Sequence, residues 1–352
     1  MLQLCMQLNG TGSRNEAGMI VPPPGMSSDW ALVFDSREGE AGMGPGPFGN
    51  AWQLWKGKGR HAVVVRGTIE TVKGMLDDVL ATSILANCRL PVAYGIEGKN
   101  LPIQAVAEEN ARNAVIHMGF AWGASILLFH HAKGILKELL KLPAGSEIYV
   151  TGHSQGAAIA TLLHSMLFHG GADSGTHLGE ALSSRNFSYK SYFFAQPGPG
   201  NWQYGRDFAQ AAGNAGMSWC INDNRDWVPQ LPFAFDLPEE MTDNAVEGYL
   251  AGGHPLLSRL VKSVEGIAKW GRDEEEKAVG RAARQARSYL GSNIEQKYLG
   301  RWSALDIDSP CLNYVQCGNL ISLRGEKSEM EQQDEFWQHH CGTYLELIQL
   351  GP

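Results

Sequence analysis

The amino-acid sequence predicts an α/β domain with a mostly parallel central sheet, helices on both faces and a helical insertion. Three observations carry that expectation. Segments alternate along the chain as strand, helix, strand, helix, strand, the order that builds a parallel sheet through crossover helices. Two of the strand segments, Ala62–Val65 (AVVV) and Glu147–Val150 (EIYV), are short and bounded by turn signals, as buried strands are. With 352 residues, 43% hydrophobic and 19% charged, the chain is long enough for one large core.

In chain order, residues 1–58 are expected as an irregular N-terminal arm laid over that core, because 17–50 are rich in Gly, Pro and Met. The Ala62–Val65 strand ends at Arg66-Gly67-Thr68. Residues 107–141 carry a helical spacing of apolar positions (Ile126, Leu127, Phe129, Ile135, Leu136, Leu139, Leu140), broken by Pro143 and Gly145. The Glu147–Val150 strand runs into Gly152-His153-Ser154-Gln155-Gly156, and the following AAIATLLHSMLF is helical in pattern. Further strands are expected at Tyr189–Ala195 and Met217–Ile221. Residues 235–310 interrupt the alternation. They are helix-rich and charged around GRDEEEKAVGRAARQARSYLG, and read either as a lid or cap over a cleft or as a helical hairpin on the back of the sheet. Tyr314–Leu323 returns as a late strand and Phe336–Leu350 as a final helix.

Composition excludes more than it assigns. A net charge of −8 does not favour a surface that neutralises phosphates, so nucleic acid is not expected as a partner, nor is simple electrostatic capture by anionic lipid. Of the six cysteines (Cys5, Cys88, Cys220, Cys311, Cys317, Cys341), most are expected as buried free thiols. Cys311 and Cys317, six apart, permit a small disulfide loop. A cationic start, a long apolar N-terminal stretch and any run of 18 apolar residues are all missing. The expected location is therefore the cytoplasm, with export that needs no cleaved signal left open. The sequence holds no H-E-x-x-H, Walker or EF-hand pattern, so neither a metal nor a cofactor is expected.

The most informative segment is the G-x-S-x-G at 152–156. A serine hydroxyl becomes a useful nucleophile only when a base reaches it and the backbone presents it tightly. Two glycines permit a cramped strand-turn-helix that pushes the hydroxyl outward. The helix beginning at Gln155 then aims N–H groups and a positive dipole end toward a developing oxyanion. Here the pattern sits between a β-branched strand and an Ala-rich helix, the context that this chemistry needs.

VTGHSQGAAIATLL resembles the nucleophile segment of the class 3 (fungal-type) lipases, usually written V-T-G-H-S-L-G-G-A-L-A. Four other segments agree in order. Val65-Arg66-Gly67-Thr68 with Leu76-Asp77-Asp78 is similar to the family's F-R-G-T/S and W-L-x-D; Val115-Ile116-His117-Met118-Gly119-Phe120 resembles V-H-x-G-F. Phe194-Ala195-Gln196-Pro197 with Gly200-Asn201 resembles F-G-Q-P-R-V-G-N, and Asp226–Pro232 resembles D-x-V-P-x-L-P. The resemblance covers roughly 60–232 and 312–348. Gln155 departs from the usual leucine, Ala157 from the second glycine and Gly198-Pro199 from Arg-Val, and the stretch between acid and histidine is longer than the family's.

The resemblance implies an α/β-hydrolase fold, with a Ser-acid-His triad in that chain order. Ser154 is the nucleophile; Asp226, in a loop after a strand, is the acid, with Asp223 as the alternative. His339, five residues before Tyr344 as in plant and bacterial relatives, is the base, ahead of His340 and of His254 in the insertion. Thr68 and the N–H of Gln155 form the oxyanion hole, while Asp78 and His117 belong to the scaffold. His153 reads as a turn residue, and His130 and His131 as helix-surface or core-edge residues. The implied activity is hydrolysis of lipid esters of the triacylglycerol type, with a lipid or ester substrate met at a membrane or lipid-droplet interface. Alternatives are a phospholipase A1 or short-chain esterase, a lipase toxin delivered to neighbouring cells, and an inactive interaction module.

Overall fold

The computed structural model describes residues 1–10, 29–39, 44–46, 49–67, 83–90, 101–172, 176–230, 314–334 and 336–350. Helix α1 (Leu2–Asn9) is followed by β1 (Ala31–Asp35), β2 (Ala51–Gly57) and β3 (Arg60–Arg66). Short strands β4 (Ser83–Leu85), β5 (Asn87–Leu90), β6 (Leu101–Gln104) and β7 (Val115–His117) lead into α2 (Met118–Phe129) and α3 (Ile135–Leu139). Next come β8 (Glu147–His153), α4 (Gln155–Ala172), α5 (His177–Leu182), β9 (Ser188–Phe194), β10 (Gly200–Asn201), α6 (Trp202–Phe208) and β11 (Ser218–Asp223). Strands β12 (Tyr314–Val315) and β13 (Asn319–Leu323) and helix α7 (Cys341–Leu350) complete the set.

Seven strands make the main sheet, in the order β1-β2-β3-β8-β9-β11-β13. From β3 to β13 every pairing is parallel; β1 and β2 add an antiparallel edge. The parallel strands are laid down in chain order across the sheet, so each successive strand is added on the same side. A sheet of this kind is buried on both faces, and β3 displays the division residue by residue. Val63 and Val65 join the core that holds residues of α2 and α4, while Ala62 and Val64 join a second core with Leu4 and Leu8 of α1 and Tyr344 of α7. A small sheet, β12-β10-β7-β4, and the pair β5-β6 lie apart from the main one.

Several expectations change. Residues 1–58 are not an irregular arm: they contain α1 and two strands of the main sheet, β1 and β2. The helix expected over 107–141 is divided. Val115 and Ile116 are β-branched and pair with β4 and β10 as β7, and α2 ends at His130, whose Nδ1 accepts the N–H groups of Ala132 (3.2 Å) and Lys133 (3.1 Å). The expected late strand Tyr314–Leu323 is two strands in different sheets, separated by a turn at Gly318 with φ 106°. The expected final helix begins at Cys341, preceded by a 3₁₀ turn over Trp337–His339. The 235–310 insertion, with any lid in it, lies outside the described residues.

Cys5, Cys220, Cys317 and Cys341 are buried free thiols and Cys88 is a half-buried one; Cys311 lies outside the described residues. Among the described residues no helix is long and apolar enough to cross a membrane, and no cluster of three or more His, Cys, Asp or Glu side chains could hold a metal.

Candidate active site

Ser154 occupies the single residue between β8 and α4, and its φ of 59° lies in the left-handed region that costs a non-glycine residue on the order of 1–3 kcal/mol. Close packing enforces this. A methyl group on Gly152 would run into the Gly156 carbonyl, and one on Gly156 into the Val65 carbonyl of β3. The Ser154 N–H donates to the Phe194 carbonyl at 3.0 Å, fixing the turn to the end of β9. The two glycines of G-x-S-x-G are thus there because strand, turn and helix touch backbone to backbone.

Gln155 is the first residue of α4, so its N–H heads the helix at the positive end of the dipole. Its side chain, polar where the family has leucine, is buried, and its Oε1 accepts from Asn50 Nδ2 at 3.0 Å. Gly67, at the end of β3, lies so close that an added methyl would stand 2.6 Å from the Gln155 Cβ. Thr68 follows Gly67 and, like Asp78 and His254, is outside the described residues.

The His339 ring joins two distant parts of the chain. Its Nε2 lies 2.8 Å from Ser154 Oγ, and its Nδ1 lies 2.8 Å from Asp226 Oδ2. Asp226 is 1% exposed, yet both of its oxygens are engaged: Oδ1 accepts the Val228 N–H at 3.0 Å, and Oδ2 also accepts the Tyr344 hydroxyl at 2.8 Å. That hydroxyl in turn accepts the Asp223 N–H at 3.0 Å. A buried carboxylate with this many donors is held in one orientation. His340 goes elsewhere, pairing with Asp334 at 2.6 Å on the surface. Asp223 serves as a turn cap, its Oδ1 accepting the Arg225 N–H at 3.1 Å. Burial pushes its carboxyl up to about 6.

Other described histidines take part in local contacts. His117 caps α2, accepting the Phe120 N–H at 3.3 Å. His130 is buried at the end of α2 and stacks on His131, the ring centroids 4.9 Å apart. His153 is more than a turn residue. Its buried ring lies 4.8 Å from that of His339 and edge-on to Tyr344, and burial, aided by the nearby His339, drives it well below the usual imidazole range. The sequence reading used Tyr344 only as a spacing marker and gave His153 no part at the site; the pattern signals for both were in the motifs, but not the contacts.

Residues 63–235 match the model of the family described as lipase (class 3). Over these residues, about half of its length, the chain is similar to the class 3 lipases. It is a hydrolase of carboxylic esters with an α/β-hydrolase fold, and its substrates are lipid esters. Among solved structures it is similar to M37 lipase (17% identity, TM-score 0.47, covering 91% of this chain and 78% of that one). It is also similar to a variant of MDLA from Penicillium cyclopium (17%, 0.43, 66% and 71%) and to Lip2 lipase from Yarrowia lipolytica (16%, 0.41, 66% and 73%). No curated protein matches the chain.

Proposed function

We propose that this lipase hydrolyses triacylglycerol-type esters through a triad of Ser154, His339 and Asp226. The observation that carries the reading is the imidazole of His339, 2.8 Å from the Ser154 hydroxyl on one side and 2.8 Å from the Asp226 carboxylate on the other. With Nδ1–H donated to Asp226, Nε2 is left as the base. Ser154 Oγ attacks the ester carbonyl as its proton passes to Nε2, and the carbonyl electrons move onto oxygen. The oxyanion meets the N–H of Gln155 and, as the resemblance implies, Thr68. Collapse expels the alcohol, which takes the proton from Nε2. Water then repeats the sequence on the acyl-Ser154 ester and releases the fatty acid. Asp226 keeps the imidazole in the working tautomer and stabilises it while it is positively charged.

Purified protein assayed on p-nitrophenyl esters, triacylglycerol and phosphatidylcholine tests this, with Ser154→Ala in parallel. Long-chain triacylglycerol should be cleaved, and the serine variant should lose about 10⁶-fold in kcat while folding normally. Labelling of the wild type by a fluorophosphonate, absent in the variant, identifies the nucleophile. Phosphatidylcholine cleaved in preference to triacylglycerol would replace the substrate assignment with a phospholipase one. Hydrolysis undiminished in Ser154→Ala would overturn the triad.

A further inference from the structure

Asp226 and His339 come from turns 113 residues apart, and something must hold those turns in register. Tyr344 does so from beneath. On the outer side, one carboxylate gathers donors from three segments. Glu331 Oε2 accepts Arg225 Nη2 at 2.9 Å, and Oε1 faces Arg225 Nε at 3.4 Å. Oε1 also accepts Gln338 Nε2 at 2.6 Å and, in a capping box, the Ser328 N–H at 2.9 Å. Arg225 immediately precedes Asp226, and Gln338 immediately precedes His339. The same Gln338 amide nitrogen donates to the Glu326 carbonyl at 2.8 Å, and Gln338 is 6% exposed.

We infer that Glu331 is a positioning residue, clamping the turn that carries His339 onto the turn that carries Asp226; this rests on the triad proposed above. An exposed ion pair between two flexible side chains would be worth little. This one differs in geometry. The guanidinium meets the carboxylate through two nitrogens, both partners are about two-thirds covered or more, and the second partner of the carboxylate is a buried amide rather than water. Burial alone would raise the Glu331 carboxyl, but its bonds from Arg225, Ser328 and Gln338 outweigh that and hold it below the ordinary range. The clamp acts on the register of two turns, and misplacement of a catalytic group by about 1 Å can cost up to roughly 100-fold in rate. It touches neither the ester nor the nucleophile, so its loss should appear in kcat rather than KM.

The test compares Glu331→Gln, Arg225→Gln and the double variant with wild type, on a soluble p-nitrophenyl butyrate, across pH and alongside thermal melts. Each single variant should lose kcat by about tenfold with KM within roughly twofold. The acid limb of the kcat/KM profile should move to lower pH by about half a unit, because an imidazolium drawn away from Asp226 loses stabilisation. The double variant sets amide against amide, so it should recover part of the loss, a non-additivity expected of direct partners. If Glu331→Gln melts below the assay temperature, Arg225→Gln, which leaves the Ser328 and Gln338 bonds in place, carries the same comparison. Wild-type kcat and acid limb in the single variants, or losses that only follow the folded fraction with the limb unmoved, would overturn the clamp. Such a result with Ser154→Ala inactive leaves the triad standing; an active Ser154→Ala removes both.

Discussion

The nucleophile side and the acid–base side of this site are built by different means. Ser154 is held by backbone alone: β8, the turn and α4 are contiguous, Gly152 and Gly156 leave no room for a methyl group, and β3 packs against both the turn and the helix start. His339 and Asp226 are held by side chains. Tyr344 joins the acid turn to α7, and the Arg225–Glu331–Gln338 chain of bonds joins it to the histidine turn. Backbone packing is all-or-none, because a clash with a carbonyl has no small remedy. Side-chain hydrogen bonds are graded, each worth about 1–3 kcal/mol when a charged group is involved. Damage to the backbone packing on the first side should appear as lost folding, and damage to the side-chain bonds on the second as lost rate in a folded protein.

The sharpest way to break that contrast is at the two adjacent histidines. His339→Ala should keep the melting temperature within a few degrees and lower kcat by roughly 10⁴–10⁶-fold. His340→Ala, which removes only a surface contact to Asp334, should stay within a few-fold of wild type. A dead His340 variant beside a live His339 variant, assayed on the same ester, would place the base one residue further on.

On the nucleophile side the corresponding change is Gly156→Ala. The added methyl meets the Val65 carbonyl and lies 2.8 Å from the Gly67 nitrogen, so the expected loss is on the order of 3 kcal/mol of unfolding free energy. Urea denaturation measures it. A variant that unfolds like wild type but has lost activity would mean that the turn is positioned more softly than its packing implies.

The smallest effect sharpens the contrast by pH. His164 lies on the inner face of α4, fully buried, with Nδ1 2.9 Å from Ser191 Oγ. Burial, helped by His169, lowers it from 6.5 to about 3. Above pH 6.5 neither folded nor unfolded protein charges it, so it contributes nothing to pH dependence. Below pH 6.5 the unfolded chain takes up a proton that the folded one refuses, and stability falls until about pH 3. Between pH 7 and pH 5 that amounts to about 2 kcal/mol. His164→Gln should lose less stability than wild type over this interval by that amount. Parallel stability curves for the two proteins would show that His164 is not buried in its neutral form.

What could be read from the sequence follows the same division. Gly152, Ser154 and Gly156 announce the turn because its constraints are local and fall on consecutive residues. Asp226 and His339 were reachable through motif spacing, since loops after parallel strands converge on one edge of the sheet. Glu331 carried one local signal, the S-x-x-E of its capping box with Ser328, but its link to the acid turn lies 106 residues away at Arg225, and Gln338 gave none. The strands β1 and β2 were hidden for a related reason. Asp35 and Gln53 are polar residues buried against one another at 2.7 Å, with Arg37 on the same carboxylate, and polar residues in a Gly- and Pro-rich stretch look like loop until their partners are known. Strand β7 was absorbed into an apolar run whose remainder, α2, is buried on nearly every side, so that periodicity could not mark the boundary.

The position of His339 on a turn just ahead of α7 also bears on how the enzyme comes into being. Ribosomes add roughly 5–20 residues each second, and domains tend to fold as they emerge. His339 follows Ser154 by 185 residues, which is about 10–40 s of synthesis at that pace. Throughout that interval the growing chain can complete β3, β8 and α4, and so present its serine, while still lacking the His339 imidazole proposed to activate it. On the proposed triad, hydrolysis waits for the turn that carries His339, just ahead of α7. The half-made chain is therefore, on that triad, chemically silent, and its first turnover reports that the fold has closed.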